Sequence, residues 1–139
     1  MTRENLDQFN LERVRLYIDA LRSGKYTQTT GKLRGDNCFC ALGVAAEASI
    51  QNGAPAEWTL DYGVRWELIS KSGDPYDFAV TRLIVAVNDW YGGDLDAVSL
   101  FENDKQRPEC ITVANDEQGW SFPQIADRLE ALFFDWRIS

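Results

Sequence analysis

The 139-residue chain contains no histidine. That absence removes Ser-His-Asp and Cys-His catalysis, histidine-containing zinc sites and any imidazole pH switch. Cysteine is scarce and odd in number, with only Cys38, Cys40 and Cys110. An odd set makes a poor disulfide framework and suits a reducing compartment. Cys38-Phe39-Cys40 is no metal motif either, because zinc sites space their first two ligands by about two to four residues and need about four ligands. Neither a metal nor a cofactor is expected. Long apolar runs are also missing: residues 83–87 make a run of five, against roughly 18 for a membrane span. No apolar stretch follows a basic start at the N-terminus, where a secretory signal would place one. These absences predict a cytoplasmic protein without a membrane partner.

What is present points to a globular fold. The chain is 45% hydrophobic and 12% aromatic, enough for a core, and its length predicts a single globular domain over residues 1–139. Lys and Arg number 14 against 22 Asp and Glu, a net charge of −8. A protein this acidic is ill suited to gripping a nucleic-acid backbone along a broad face. The charge is uneven, however. Residues 1–34 carry seven basic and four acidic side chains, and residues 35–139 carry seven and eighteen. A basic edge on an acidic body can steer an anionic ligand or dock a charged partner.

Asn10 caps a predicted first helix, in which Leu11, Val14, Ile18 and Leu21 recur at helical spacing. Phe9 and Val14 fit a hydrophobic staple, and Gly24 supplies a stop. Tyr and Thr enrichment around Gly31 favours two short strands or an extended loop over residues 25–34. A helix rich in Ala, Gly and Val follows over residues 38–51, with Asn37 as its cap, and is expected to be central and buried. Residues 58–68, broken at Asp61-Tyr62-Gly63, read as a hairpin. Asp74-Pro75 reads as the start of a helix whose face is Tyr76, Ala79, Val80, Leu83, Ile84 and Val87. The last helix opens with a capping box at Ser121 and Gln124, and its face is Phe122, Ile125, Ala126, Leu129, Leu132, Phe133 and Trp136. Asn88-Asp89 and Asn115-Asp116 head two similar stretches 27 positions apart. Each runs into a glycine and then a capping residue, the pattern of one segment ending and a capped one starting.

Four signals could carry chemistry. Cys40, near the start of the second predicted helix, is a weak candidate nucleophile because a helix N-terminus favours thiolate; packing as a small hydrophobe is the competing reading. Lys25, Tyr26, Gln28, Lys32, Arg34 and Asn37 lie together before the same helix start. Cations beside a helix N-terminus form a sound anion site, and simple solvation of those side chains is the alternative. Trp90-Tyr91, in a glycine loop, reads either as an exposed partner-binding anchor or as a lid folded over the core. Asn88, Asp89, Asp94 and Asp96 lack the alternating ligand pattern of a calcium loop.

Ala20-Leu21-Arg22-Ser23-Gly24, Tyr26, Gln28, Gly31 and Leu33-Arg34, followed by Phe39-Cys40 and Leu42-Gly43-Val44, resemble a family of small uncharacterised phage and prophage proteins. That family's pattern runs A-L-R-S-G-x-Y-x-Q-x-x-G-x-L-R, then Y-C-C-L-G-V. Near its end comes N-D and S-F-x-x-I-A-x-x-I, matched here by Asn115-Asp116, Ser121-Phe122, Ile125-Ala126 and Leu129. The chain departs from it at Ala41, where the family has its second cysteine, and at Cys38, which lies outside the pattern.

The expected fold is α+β: one compact, mainly helical domain with one or two small β-hairpins against a central small-residue helix. The resemblance implies a phage or mobile-element accessory protein. The leading expectation is a non-enzymatic one that acts by binding a host protein as a counter-defence inhibitor. The second is a binder that sequesters a nucleotide-like anion, and the third a cysteine-dependent enzyme using Cys40.

Overall fold

The computed structural model describes residues 6–101 and 106–135. Helix α1 (Leu11–Arg22) starts where the Asn10 side chain accepts a hydrogen bond from the Arg13 amide, satisfying one of the donors a helix start leaves open. It stops at Ser23, before Gly24 turns into the left-handed region. Its buried face is Val14, Tyr17, Ile18 and Leu21. Leu11, expected on that face, is 42% exposed; Tyr17 instead enters the core because its hydroxyl donates to the Ala41 carbonyl at 2.8 Å.

Strands β1 (Thr27–Gln28) and β2 (Cys38–Phe39) pair in parallel, and Arg34 bridges back to Phe39. The second predicted helix therefore begins later than its composition suggests. Cys38 and Phe39 are extended, Asn37 is exposed and does not cap, and α2 (Ala41–Gln51) is capped by Cys40. The helix is buried along most of its length. Its small residues allow close approach: a Cβ on Gly43 would lie 1.9 Å from the Leu33 carbonyl oxygen.

The hairpin is β3 (Ala56–Asp61) and β4 (Arg65–Ser70), with Asp61 opposite Arg65. Tyr62 and Gly63 in its turn both take positive φ, 51° and 70°, and the Val64 amide donates to the Asp61 carbonyl. A third strand, β5 (Phe78–Ala79), pairs antiparallel with β4. The helix predicted from Asp74-Pro75 does not form there. Asp74 instead accepts the Tyr76 amide in a local turn, and the sheet claims Phe78 and Ala79. The helix α3 (Val85–Tyr91) starts only after Ile84, its open amides at Val85 and Ala86 held by the Asp77 carboxylate at 2.9 and 3.2 Å. The sheet thus makes the molecule α+β with a larger strand component than a mainly helical domain.

A 3₁₀ turn (Leu95–Ala97), α4 (Ile111–Asp116) and α5 (Phe122–Phe133) complete the order. The capping box of α5 forms as predicted, with Ser121 and Gln124 exchanging bonds. Phe122, Ile125, Ala126, Leu129 and Phe133 are buried, Leu132 is half-buried, and Trp136 lies outside the described residues. The two Asn-Asp stretches also match in structure. Gly92 and Gly119 both take positive φ after a helix, and Asp94 and Ser121 then cap the next element. Buried side chains from Leu6 to Phe133 form one cluster, with α2 and α5 both packed against α1. Among the described residues, no helix is long and apolar enough to cross a membrane.

Candidate functional site

The six residues of the predicted basic site do not converge. Lys25 and Tyr26 border a cleft between the ends of α1 and α2, with Asp19 and Gln51. Lys32 and Arg34 line a separate cavity of about 130 Å³, together with Asp36, Arg65 and Trp66. Gln28 points elsewhere: its Nε2 donates to Asn115 Oδ1 and to the Trp120 carbonyl, both at 2.7 Å. Asn37 joins neither group as a helix cap.

The helix terminus meant to attract the anion is already occupied. Asn115 Oδ1 accepts from the Ala41 amide at 3.1 Å, and Cys40 Sγ accepts from the Gly43 amide at 3.4 Å. Asn115 is 2% exposed, and its Nδ2 donates to the Thr29 carbonyl and to Asp116. One buried amide therefore ties β1, α2 and α4 together. Such a group, fully partnered, fixes its neighbours because leaving any of them unpaired in the interior is costly.

The environment of Cys40 opposes thiolate chemistry. Burial pushes its thiol up to about 11, although the Gly43 and Leu42 amides pull the other way. Desolvation outweighs the helix terminus, so the thiol stays protonated at neutral pH. Cys40 caps α2 through its sulfur and is packed in the core.

Arg34 anchors a cluster of aromatic rings. Its guanidinium lies 3.8 Å from the Trp66 ring centroid, 4.9 Å from Phe39 and 5.4 Å from Trp58. Burial lowers its pKa, against the attraction of Glu47 and Asp36. Its Nε and Nη2 donate to the Gly35 and Asp36 carbonyls. The indoles are tied as well, Trp58 to Glu47 at 3.2 Å and Trp66 to Asp36 at 2.8 Å. The cluster braces the hairpin against β2 and α2.

Trp90 and Tyr91 do not form an exposed anchor. Tyr91 is fully buried and donates its hydroxyl to the Ala45 carbonyl; Trp90 is 9% exposed, under the Arg13 guanidinium. The following glycines explain why. A Cβ on Gly92 would meet the Gln8 carbonyl at 2.6 Å, and one on Gly93 the Phe9 ring at 2.8 Å. Lacking side chains, they let residues 8–10 close over this corner, and the Asn10 amide donates to the Tyr91 carbonyl.

Exposed apolar side chains on the hairpin, which no sequence signal singles out, join Tyr76 (85%) and Val85 (61%) elsewhere on the surface. Tyr62 is 95% and Val64 83% exposed at the hairpin tip, and Leu60 is also exposed. Strand alternation sends Ala56, Trp58 and Leu60 toward the core side. Glu57, Thr59 and Asp61 take the outer face, where Glu67 and Ile69 of β4 and Phe78 of β5 join them. A cleft of about 550 Å³ on this face is lined by Glu67, Ile69, Asp74, Asp77, Phe78 and Arg65. Arg65 is bonded to Asp61 and Glu67, and the lining sets Glu67, Asp74 and Asp77 against this one cation, beside the apolar Ile69 and Phe78. Among the described residues, no group of histidine, cysteine and carboxylate side chains is placed to hold a metal ion.

The arrangement is that of a small α+β domain with an exposed hairpin and a buried polar hub. The chain belongs to the family described as a domain of unknown function (DUF8296), whose model matches residues 10–133. No curated protein and no solved structure matches it.

Proposed function

We propose that the chain is a non-enzymatic accessory protein of a phage or other mobile element, which acts as a counter-defence inhibitor by binding a basic surface of a host protein. The observation that carries the binding reading is the hairpin tip. Tyr62 and Val64 project two apolar side chains almost wholly into water, and apolar groups exposed together mark interaction surfaces more often than scattered single ones do. Tyr62 holds a left-handed φ of 51°, which costs a non-glycine residue roughly 1–2 kcal/mol. A tyrosine kept at that cost in an exposed turn supports a role in contact. The carboxylates of the adjoining cleft suit a lysine or arginine of the partner, and the net charge of −8 speeds encounter with a basic surface. The likeness to phage and prophage proteins supports the source and, with it, the host as the place to look.

The test is affinity capture from host lysate with the wild type and with a Tyr62→Ser/Val64→Ser double variant of unchanged circular dichroism. The expected result is a basic host protein retained by the wild type and lost by the variant. Equal retention by both, or none by either, overturns the reading.

A second reading, sequestration of a nucleotide-like anion, draws on the cavity that Lys32, Arg34 and Arg65 share beside Trp66. Its test is the melting temperature in a panel of nucleotides, because a ligand at about 100 times its Kd adds roughly 2.7 kcal/mol of stability. An unchanged melting temperature across the panel removes it.

A further inference from the structure

We infer that the outer edge of β3 is a docking template for an extended segment of the partner, one that alternates apolar and basic side chains. The inference rests on the binding reading above and specifies how the partner is held.

The backbone polarity of the edge follows from the pairing. The Lys71 amide donates to the Pro55 carbonyl, so residues 55 and 71 form a hydrogen-bonded pair. In an antiparallel ladder such pairs alternate with non-bonded ones. Glu57, Thr59 and Asp61 therefore spend their backbone groups on Ile69, Glu67 and Arg65. The Ser70 amide agrees with this phase, since it turns away from Ala56 and donates to the Asp77 carbonyl on the β5 side. Trp58 and Leu60 consequently direct their N–H and C=O groups away from β4. Among the described residues, no strand pairs with that side of β3.

A row of unpaired backbone groups on a six-residue strand invites another strand. The side chains beside it determine what kind. On the core side Trp58 is half-buried and Leu60 is 40% exposed, so an apolar side chain on the incoming segment gains cover against them. On the outer side stands the exposed Glu57, while Asp61 is already paired with Arg65; Glu57 suits lysine or arginine across the strand pair and disfavours a second copy of the same acidic strand. The complement is a segment of period two, apolar toward the core side and basic toward the outer face.

The test uses end-blocked peptides of alternating valine and lysine, or valine and glutamate, titrated into the full chain while backbone amide resonances are followed by NMR. The expected result is a saturable downfield movement of the Trp58 and Leu60 amides with the lysine peptide, as their hydrogen bonds form. Glu57, Thr59 and Asp61, already bonded, move much less, and the glutamate peptide has no effect. Glu57→Lys is an exposed change that leaves the fold intact; it weakens the lysine peptide about fivefold, a cross-strand charge effect of about 1 kcal/mol. Absence of any movement at Trp58 and Leu60, while host capture still depends on Tyr62 and Val64, overturns the edge and leaves the binding reading standing. Movement confined to Ile69, Phe78 and Tyr62 does the same. Movement of the edge amides with protein concentration alone assigns the edge to a second copy of the chain and overturns the inference. Edge binding of the lysine peptide alongside failed host capture supports the edge and removes the binding reading.

Discussion

Gln28 donates a 2.7 Å hydrogen bond to Asn115 across 87 positions of sequence. Through Asn115 that bond reaches the first amide of α2 and the Thr29 carbonyl. Residues far apart in the sequence thus meet at one buried point, where they hold structure.

Asn115→Ala leaves the Ala41 amide, the Thr29 carbonyl and Gln28 short of a partner. With about 1–3 kcal/mol for each buried group left unpaired, and some relief from relaxation, the expected loss is about 3 kcal/mol in chemical denaturation. Gln28→Ala, which removes only the half-buried donor, costs less.

Gly43→Ala is expected to destabilise by about 3 kcal/mol, at the upper end of overpacking costs. The added methyl would sit 1.9 Å from the Leu33 oxygen, a backbone atom that cannot rotate away. Gly53→Ala brings no such clash, as a Cβ there meets nothing within 4 Å; its penalty comes from the positive φ alone. Denaturation midpoints of the two variants separate these causes.

Glu130 gives the fold an acid-sensitive joint. Hydrogen bonds from Arg22 and Arg15 hold its carboxyl down at about 2, from an ordinary 4.5. A lowered acid stabilises the fold above its unfolded value, and that contribution drains away as pH falls through the folded value. Glu130→Gln should therefore melt below the wild type at pH 7. The gap should narrow between about pH 4.5 and pH 2 and be absent below that, as read by melting temperature against pH.

Thiol labelling should proceed with Cys38 first and Cys40 last. Cys38 is half-buried, whereas Cys40 is buried with its thiol at about 11. A raised acid is stabilising in its neutral form, so the fold loses stability as pH climbs from about 9 toward 11 and the unfolded thiol ionises. Rapid labelling of native Cys40 at pH 8 would contradict this.

Tyr62→Asn should leave stability unchanged or raise it by up to about 1 kcal/mol, because asparagine tolerates the left-handed turn better. The same change should reduce partner capture. Stability gained and binding lost in one substitution would separate the two demands on that residue.

Local signals in the sequence were dependable where the physics is local. Asn10 and Ser121 cap the helices they precede, and the small residues of α2 do lie at the centre. The stretch from Asp74 misleads because Tyr76, Ala79, Val80 and Leu83 happen to follow helical spacing, while pairing with β4 and the Asp77 carboxylate decide the outcome. Neither partner is visible within a helical window. The site follows the same rule. Lys32 and Arg34 are neighbours in sequence and share a cavity, but Trp66 reaches Arg34 only through the hairpin register. Trp90 and Tyr91 are buried by residues 8–10, a contact that the glycine pair permits but does not announce. Exposure of Tyr62 and Val64 depends on how far the hairpin projects, which no periodicity encodes.

The Ala41 amide takes its partner from 74 positions downstream. A nascent polypeptide leaving the ribosome can wind its second helix early, but it cannot seal that helix until Asn115 has cleared the exit tunnel. Maturation therefore waits on the late part of the message. A chain ending before residue 115 leaves the first amide of α2 without this partner.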